Sequence, residues 1–289
     1  MPTPFVNISG ASDATARQSV RVEVSGLSLR ILSAGVLAPP VLLAIYAGSP
    51  FTDLLVLIAG VAMTWEAGNV VFGASKPWQA VVAMAGTGAA VICAGFYSYG
   101  LALAVLAVTA AGVPAAIRTR SGLILAGAAF YLGTGCLAFL WLRQLGEGGL
   151  LMVAWLIASV WATDIAAYFA GRAIGGPRLA PRISPKKTWA GLLGGAAGAA
   201  AVGVGFALGA PEVRMLMSLP GPLTMAAVGV ALAVVAQLGD LLASAFKRYF
   251  DVKDASHLIP GHGGVIDRAD GLLAASLAVA FATMLTKGA

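Results

Sequence analysis

The residues that could do chemistry in this chain are concentrated between 237 and 270. The stretch holds Gln237, Asp240, Ser244, Lys247-Arg248, Lys253-Asp254, His257, Pro260-Gly261-His262-Gly263-Gly264, Asp267-Arg268 and Asp270. Five of the chain's twelve acidic residues (Asp240, Asp251, Asp254, Asp267 and Asp270) and both histidines fall here. Asp240 has Ser244 one helical turn on, so it is not half of an i, i+4 acidic pair, whereas Asp267 and Asp270 share a helical face at i, i+3. A hairpin would bring Asp240 and Asp267 together at one end of two helices. Carboxylates converging beside Lys and Arg suit Mg2+ with bound phosphates, because that ion takes one or two carboxylates plus phosphate oxygens. His257 and His262 form no HExxH pair and have no cysteine neighbour, which argues against zinc. The Pro-Gly-His-Gly-Gly run predicts a backbone-rich turn able to approach a ligand closely.

A second polar segment holds Asp164, Tyr168, Gly171-Arg172 and then Arg182-Ile183-Ser184-Pro185-Lys186-Lys187-Thr188. Asp164 sits near the end of an apolar run, where a carboxylate needs a partner or a polar cavity. Arg172 to Lys187 contains five positive charges and no acidic residue. One reading is a basic loop touching anionic lipid heads. The other is a phosphate seat, because Ser-Pro-Lys-Lys-Thr places two hydroxyls and two ammonium groups directly before a helix. It is not a Walker A loop, since Lys186 stands where that loop needs glycine.

The elements that carry these residues are membrane spans. Of 289 residues, 59% are hydrophobic and 10% charged, against about 25% charged in soluble domains. Crossing the hydrocarbon takes about 20 apolar residues. Nine runs qualify: 31–49, 53–73, 77–96, 100–116, 122–142, 150–170, 189–209, 222–243 and 271–286. Their length and uniform apolarity predict an all-α polytopic membrane protein, not a barrel. With the N-terminus inside and the C-terminus outside, fifteen of the eighteen Lys and Arg residues lie on the inner side, as the positive-inside rule requires. Arg143, Arg214 and Lys287 are then the outer three. Residues 1–29 form a polar tail with no evident cleavage site, so the first span is expected to stay. The whole of 1–289 reads as one membrane-embedded domain with its chemistry in 150–289. The net charge of +6 fits positive-inside loops, and no basic face suggests nucleic acid as a partner. Cys93 and Cys136 lie in apolar runs and read as core residues. Gly191, Gly194, Gly195 and Gly198 have the spacing of a close helix contact.

Ser244, Lys247-Arg248, Lys253-Asp254, Pro260, His262-Gly263-Gly264, Asp267-Arg268 and Asp270 resemble, at fixed spacing, the signature of the phosphatidate cytidylyltransferases, or CDP-diacylglycerol synthases. Asp164, Tyr168, Gly171-Arg172 and Ser184–Thr188 also look like a conserved region of that family. The resemblance is weaker over 1–150, where Arg30 and Trp65-Glu66 fit its habit. One departure is Ala190, where the family usually has Glu; it bears on activity, metal arrangement or substrate preference.

The resemblance implies an all-helical membrane enzyme, with CTP, phosphatidate and membrane lipids as partners, a homodimer, and Mg2+ with room for a second cation. It implies Asp240 and Asp267 as metal ligands with Asp270 beside them. Lys247, Arg248, Lys187 and Arg268 would neutralise phosphates, and Ser184 and Thr188 would donate to them. His262 would contact a phosphate or assist proton movement, with Asp164, Tyr168, Arg172 and Ser244 completing the substrate site. The site would face the cytoplasm from a bacterial inner (plasma) membrane. Kinases of polyprenol type, or cytidylyltransferases for another lipid phosphate, share the basic segment. A CDP-alcohol phosphotransferase is disfavoured, because Ala275 stands where it needs arginine and no aspartate follows. A transporter is disfavoured because the charges lie at helix ends and no internal repeat is present.

Overall fold

The computed structural model describes residues 33, 35–73 and 78–287. Within them the chain forms helices α1 (Gly35–Ala47), α2 (Phe51–Phe72), α3 (Trp78–Phe96), α4 (Tyr99–Ile117), α5 (Arg120–Arg143) and α6 (Gly149–Ile174). A hairpin of β1 (Arg178–Ala180) and β2 (Ser184–Thr188) follows, then α7 (Trp189–Gly209), α8 (Pro211–Leu216), α9 (Pro222–Tyr249) and α10 (Ile266–Lys287). The expectation of an all-α architecture holds apart from this small hairpin. Among the described residues, seven helices are long and apolar enough to cross a membrane, while α1 and the apolar part of α4, Tyr99–Ala115, are shorter. The start of the expected first span, and Arg30, lie outside the described residues. Outward faces carry Leu43, Phe96, Val108, Leu193, Leu208 and Phe281, all largely exposed. Such faces are stable against lipid, and the chain is a multi-pass membrane protein.

Helix ends follow local chemistry. Ser98, Thr119 and Thr188 cap α4, α5 and α7, each side-chain oxygen accepting the N–H three residues on: Leu101 at 3.1 Å, Gly122 at 3.2 Å and Gly191 at 3.0 Å. The end of α1 is tied to α5 by Arg143, whose Nε and Nη2 donate to the carbonyls of Ile45 and Tyr46 at 2.7 and 3.0 Å.

Several boundaries differ from those predicted. α9 continues to Tyr249 instead of ending at 243, and α10 starts at Ile266 instead of 271. α6 runs to Ile174 instead of 170. A helix of 28 residues spans about 42 Å at 1.5 Å per residue, more than the roughly 30 Å of hydrocarbon. Hydropathy finds only the part in lipid, whereas the intrahelical hydrogen bonds continue into the polar layer. Ser244, Lys247 and Arg248 are therefore helical. The basic segment before α7 also folds, with Arg178 opposite Thr188 and Ala180 opposite Ser184 in the antiparallel hairpin.

Two groups of helices pack side by side. α2 to α5 form one, and α6, α7, α9 and α10 the other, joined chiefly where α5 meets α10. The α6–α7 contact is backbone-close because of the glycine stripe. A Cβ on Gly194 would lie 2.3 Å from Cβ of Ala170, and one on Gly198 2.9 Å from the carbonyl oxygen of Ala162. The stripe is thus a contact within the chain, and it sets the distance between Asp164 on α6 and the hairpin that leads into α7. Trp155, Met152 and Leu156 of α6 are fully buried, as are Leu125 and Leu140 of α5. Both cysteines are free, Cys136 buried and Cys93 partly so.

Candidate active site

The polar residues of α6, α9, α10 and β2 meet at one end of the second helix group. Along α9, Gln237, Asp240, Ser244 and Lys247 recur every three or four residues and so share a face. α10 brings Asp267 and Asp270 to the same side, and α6 brings Asp164. A cavity of about 550 Å³ between them is lined by Asp164, Asp240, Lys247, Asp254, Asp267, Arg268 and Asp270, with Ile157, Val160 and Trp161 as apolar lining. A second cavity of about 340 Å³ shares Asp164 and Asp240 and adds Tyr168, Arg172, Lys187 and Thr188. A third of about 430 Å³ shares Asp254 and Arg268 and adds Lys253, His257 and His262.

Two lysine–aspartate pairs organise the chamber. Lys187, from β2, places Nζ 2.7 Å from Oδ2 of Asp240 and 3.5 Å from the carbonyl oxygen of Gln237. Ser244 donates to the other oxygen, Oδ1, of Asp240 at 3.2 Å. Lys247 donates to Oδ1 of Asp267, both side chains being almost wholly buried. Oδ2 of Asp267 accepts from the backbone N–H groups of Ala255 and Gly264 at 3.0 and 2.9 Å. Asp267 thus folds the loop that precedes it around its own carboxylate. Asp270 accepts from the Gly271 N–H at 2.8 Å.

The loop itself is closed on its backbone. Ile259 and Gly263 pair, and the Ile259 carbonyl accepts from His262 N at 2.9 Å. Arg268 donates from Nε and Nη2 to the His262 carbonyl at 3.0 and 2.7 Å. Nδ1 of His262 lies 2.7 Å from the Ser33 hydroxyl.

Of the residues singled out from sequence, Asp164, Asp240, Lys247, Asp267, Arg268 and Asp270 line the central chamber. Tyr168, Arg172, Lys187 and Thr188 line the second cavity, where Arg172 donates to the Tyr168 hydroxyl at 2.9 Å. Ser244 reaches the site through Asp240, and His262 lies in the third cavity. Arg248 and Ser184 line none of the three, and Arg248 instead donates to the Val252 carbonyl at 3.1 Å. An ionisable residue of the arrangement stood outside the sequence reading of the site. Glu66 of α2 is wholly buried and reaches the loop before α10. Its signal was an acidic residue inside an apolar run, which is costly unless it serves a purpose.

Among the described residues, no three His, Cys, Asp or Glu side chains converge tightly enough to hold a metal by themselves. The donor set still suits Mg2+. The chamber offers carboxylate oxygens and no thiol or imidazole, which are the ligands of a hard cation. An ion of that kind takes one or two carboxylates plus phosphate oxygens.

Comparison with known proteins identifies the family. Residues 28–286 match the model of the cytidylyltransferase family. A phosphatidate cytidylyltransferase of Brucella suis biovar 1 (strain 1330) is 48% identical over 147 residues, 51% of this chain and 52% of that protein. The protein of the same name from Bacillus subtilis (strain 168) is 40% identical over 147 residues, 50% and 52% of the two chains. That from Haemophilus influenzae is 43% identical over 128 residues, 44% and 43%. The chain spans about half the length of the curated relatives it matches.

Proposed function

This chain belongs to the cytidylyltransferase family, and we propose that it transfers the cytidylyl group of CTP to phosphatidate, giving CDP-diacylglycerol and pyrophosphate. The observation that carries this reading is the chamber where Asp164, Asp240, Asp267 and Asp270 face Lys247 and Arg268 at the ends of lipid-spanning helices. Its polar part suits nucleotide phosphates. Its wall of Ile157, Val160 and Trp161 suits a lipid whose phosphate must sit at the polar end of its chains.

In the reaction, an oxygen of the phosphatidate phosphate forms a bond to the α-phosphorus of CTP. The bond from that phosphorus to the bridging oxygen breaks, and its electron pair leaves with pyrophosphate. Transfers of this kind depend on positioning and charge neutralisation. Lys187, Lys247 and Arg268 supply positive charge, and the Thr188 hydroxyl, whose oxygen already accepts from Gly191, keeps its proton for a phosphate oxygen. Asp240 and Asp267, with Asp270 beside them, are the residues that would hold Mg2+, which would supply further neutralisation of phosphate charge. Lys187 and Lys247, paired with these two carboxylates, are the cations within reach of phosphates bound there.

The finer topology belongs to the same reading. Nine crossings with the N-terminus inside put the chamber, the hairpin and the basic end of α9 on the cytoplasmic side of a bacterial inner membrane. CTP then enters from the cytoplasm, and phosphatidate enters sideways from the inner leaflet. Assembly as a homodimer follows from the family resemblance.

The experiment is transfer of label from α-labelled CTP into a chloroform-soluble product by purified protein with phosphatidate and Mg2+. Labelled lipid that requires phosphatidate and is lost in Asp267→Ala supports the reading. Label that enters lipid only with another lipid phosphate, or not at all, refutes the proposed acceptor.

A further inference from the structure

We propose that Glu66, in the N-terminal half of the chain, is a positioning residue of this site: it seats the first turn of α10 and so directs the Asp267 carboxylate into the chamber. The inference rests on the nucleotidyl-transfer reading above.

The Glu66 side chain is wholly buried on α2. Its Oε1 accepts from the Ser256 hydroxyl at 2.6 Å and from the Val265 N–H at 2.8 Å, and its Oε2 accepts from the Ile266 N–H at 2.8 Å. The last two are N–H groups at the start of α10, which have no partner inside the helix. Among the described residues no Lys or Arg forms an ion pair with Glu66. The compensation for burying it comes from these three donors and from the positive end of the α10 dipole.

Glu66 and Asp267 grip the same loop from two sides. Glu66 takes Ser256, Val265 and Ile266, while Asp267 takes Ala255 and Gly264. The donors interleave along the chain, so neither carboxylate can shift without moving the other's partners. The two glycines of the His262-Gly263-Gly264 run make this possible. A Cβ on Gly264 would stand 2.7 Å from both Glu66 oxygens, and one on Gly263 would stand 2.9 Å from Oδ2 of Asp267. Gly263 also has φ +85°, a conformation that disfavours side chains. Glu66 lines none of the three cavities, so its effect on the reaction passes through Asp267.

The test compares wild type, Glu66→Gln and Ser256→Ala as full-length proteins purified in detergent. Calorimetric binding of CTP in the presence of Mg2+, kcat and KM for phosphatidate, and thermal unfolding are measured on each. The amide nitrogen of Gln cannot accept, which leaves a buried N–H unmet and releases the first turn of α10. Glu66→Gln is expected to weaken Mg2+-dependent CTP binding and lower kcat by about 10- to 100-fold, the range for residues that orient a metal-binding group. KM for phosphatidate stays unchanged, and Ser256→Ala moves the same quantities the same way by less. A lower melting temperature with wild-type CTP binding and kcat in the folded fraction would mean a purely structural role and overturns the proposal. Should Glu66→Gln fail to fold, Ser256→Ala decides, and unchanged binding and kcat in that variant count against it. Wild-type protein that binds CTP with Mg2+ but makes no CDP-diacylglycerol defeats the proposed acceptor instead, and the effect of Glu66 can still be read from binding alone.

Discussion

The two lysine–aspartate pairs predict different consequences for the same substitution. Lys247 and Asp267 have side chains only 9% and 8% exposed, whereas Lys187 and Asp240 are 17% and 36% exposed. Lys247→Met keeps the length of the side chain and removes the charge, leaving Asp267 buried without its cation. Breaking one side of a buried pair costs about 3–5 kcal/mol. Asp267 keeps its two backbone N–H donors, so the lower end, about 3 kcal/mol, is expected. Lys187→Met opens a pair that water reaches, where the loss is about 0–1 kcal/mol. Both variants should lose most of the proposed CDP-diacylglycerol synthesis, because Lys247 is a cation of the central chamber and Lys187 one of the adjoining cavity that shares Asp240. Thermal unfolding in detergent, run beside the transfer assay, separates the two effects: Lys247→Met melts well below wild type, and Lys187→Met melts close to it. Equal melting temperatures for the two variants would refute the argument from burial. Full activity in either would refute the assignment of that lysine to phosphate binding.

Other expectations follow from the same geometry. Asp240→Ala should abolish turnover while the protein still inserts in the membrane, checked by membrane fractionation beside the assay; substantial remaining activity would remove Asp240 from the metal-binding set. Arg268→Ala should reduce activity more than Arg248→Ala, since Arg268 lines the chamber and Arg248 turns to the Val252 carbonyl; the reverse order in initial rates would contradict this placement. Gly194→Leu should separate α6 from α7, because even a Cβ there meets Ala170 at 2.3 Å; about 1–3 kcal/mol of stability should go with the overpacking, seen as a lower melting temperature together with reduced transfer. Chelation of divalent cations should stop the reaction, and added Mg2+ should restore it; activity that survives thorough chelation would rule out the metal-assisted mechanism.

Much of this protein was legible in the order of its residues. The apolar runs located the membrane helices because burial in lipid is a local property, satisfied or not within about 20 residues. The clustering of Asp240, Lys247, Asp267 and Asp270 marked the chemistry, because charge is costly in such a chain and is kept where it serves a purpose. Helix ends were less legible: α9 carries Ser244 and Lys247 past the end of its apolar run, since backbone hydrogen bonding continues where hydropathy stops. The hairpin that delivers Lys187 to Asp240 depends on a register that no apolar pattern records. Only the tertiary structure decided which lysine meets which aspartate, that Arg248 faces away, and that Glu66 reaches Ile266 across 200 positions of chain. Such contacts join segments whose own sequences satisfy local rules equally well without each other. They arise only when close packing brings a buried carboxylate against the donors of a distant segment, because its burial is costly without them.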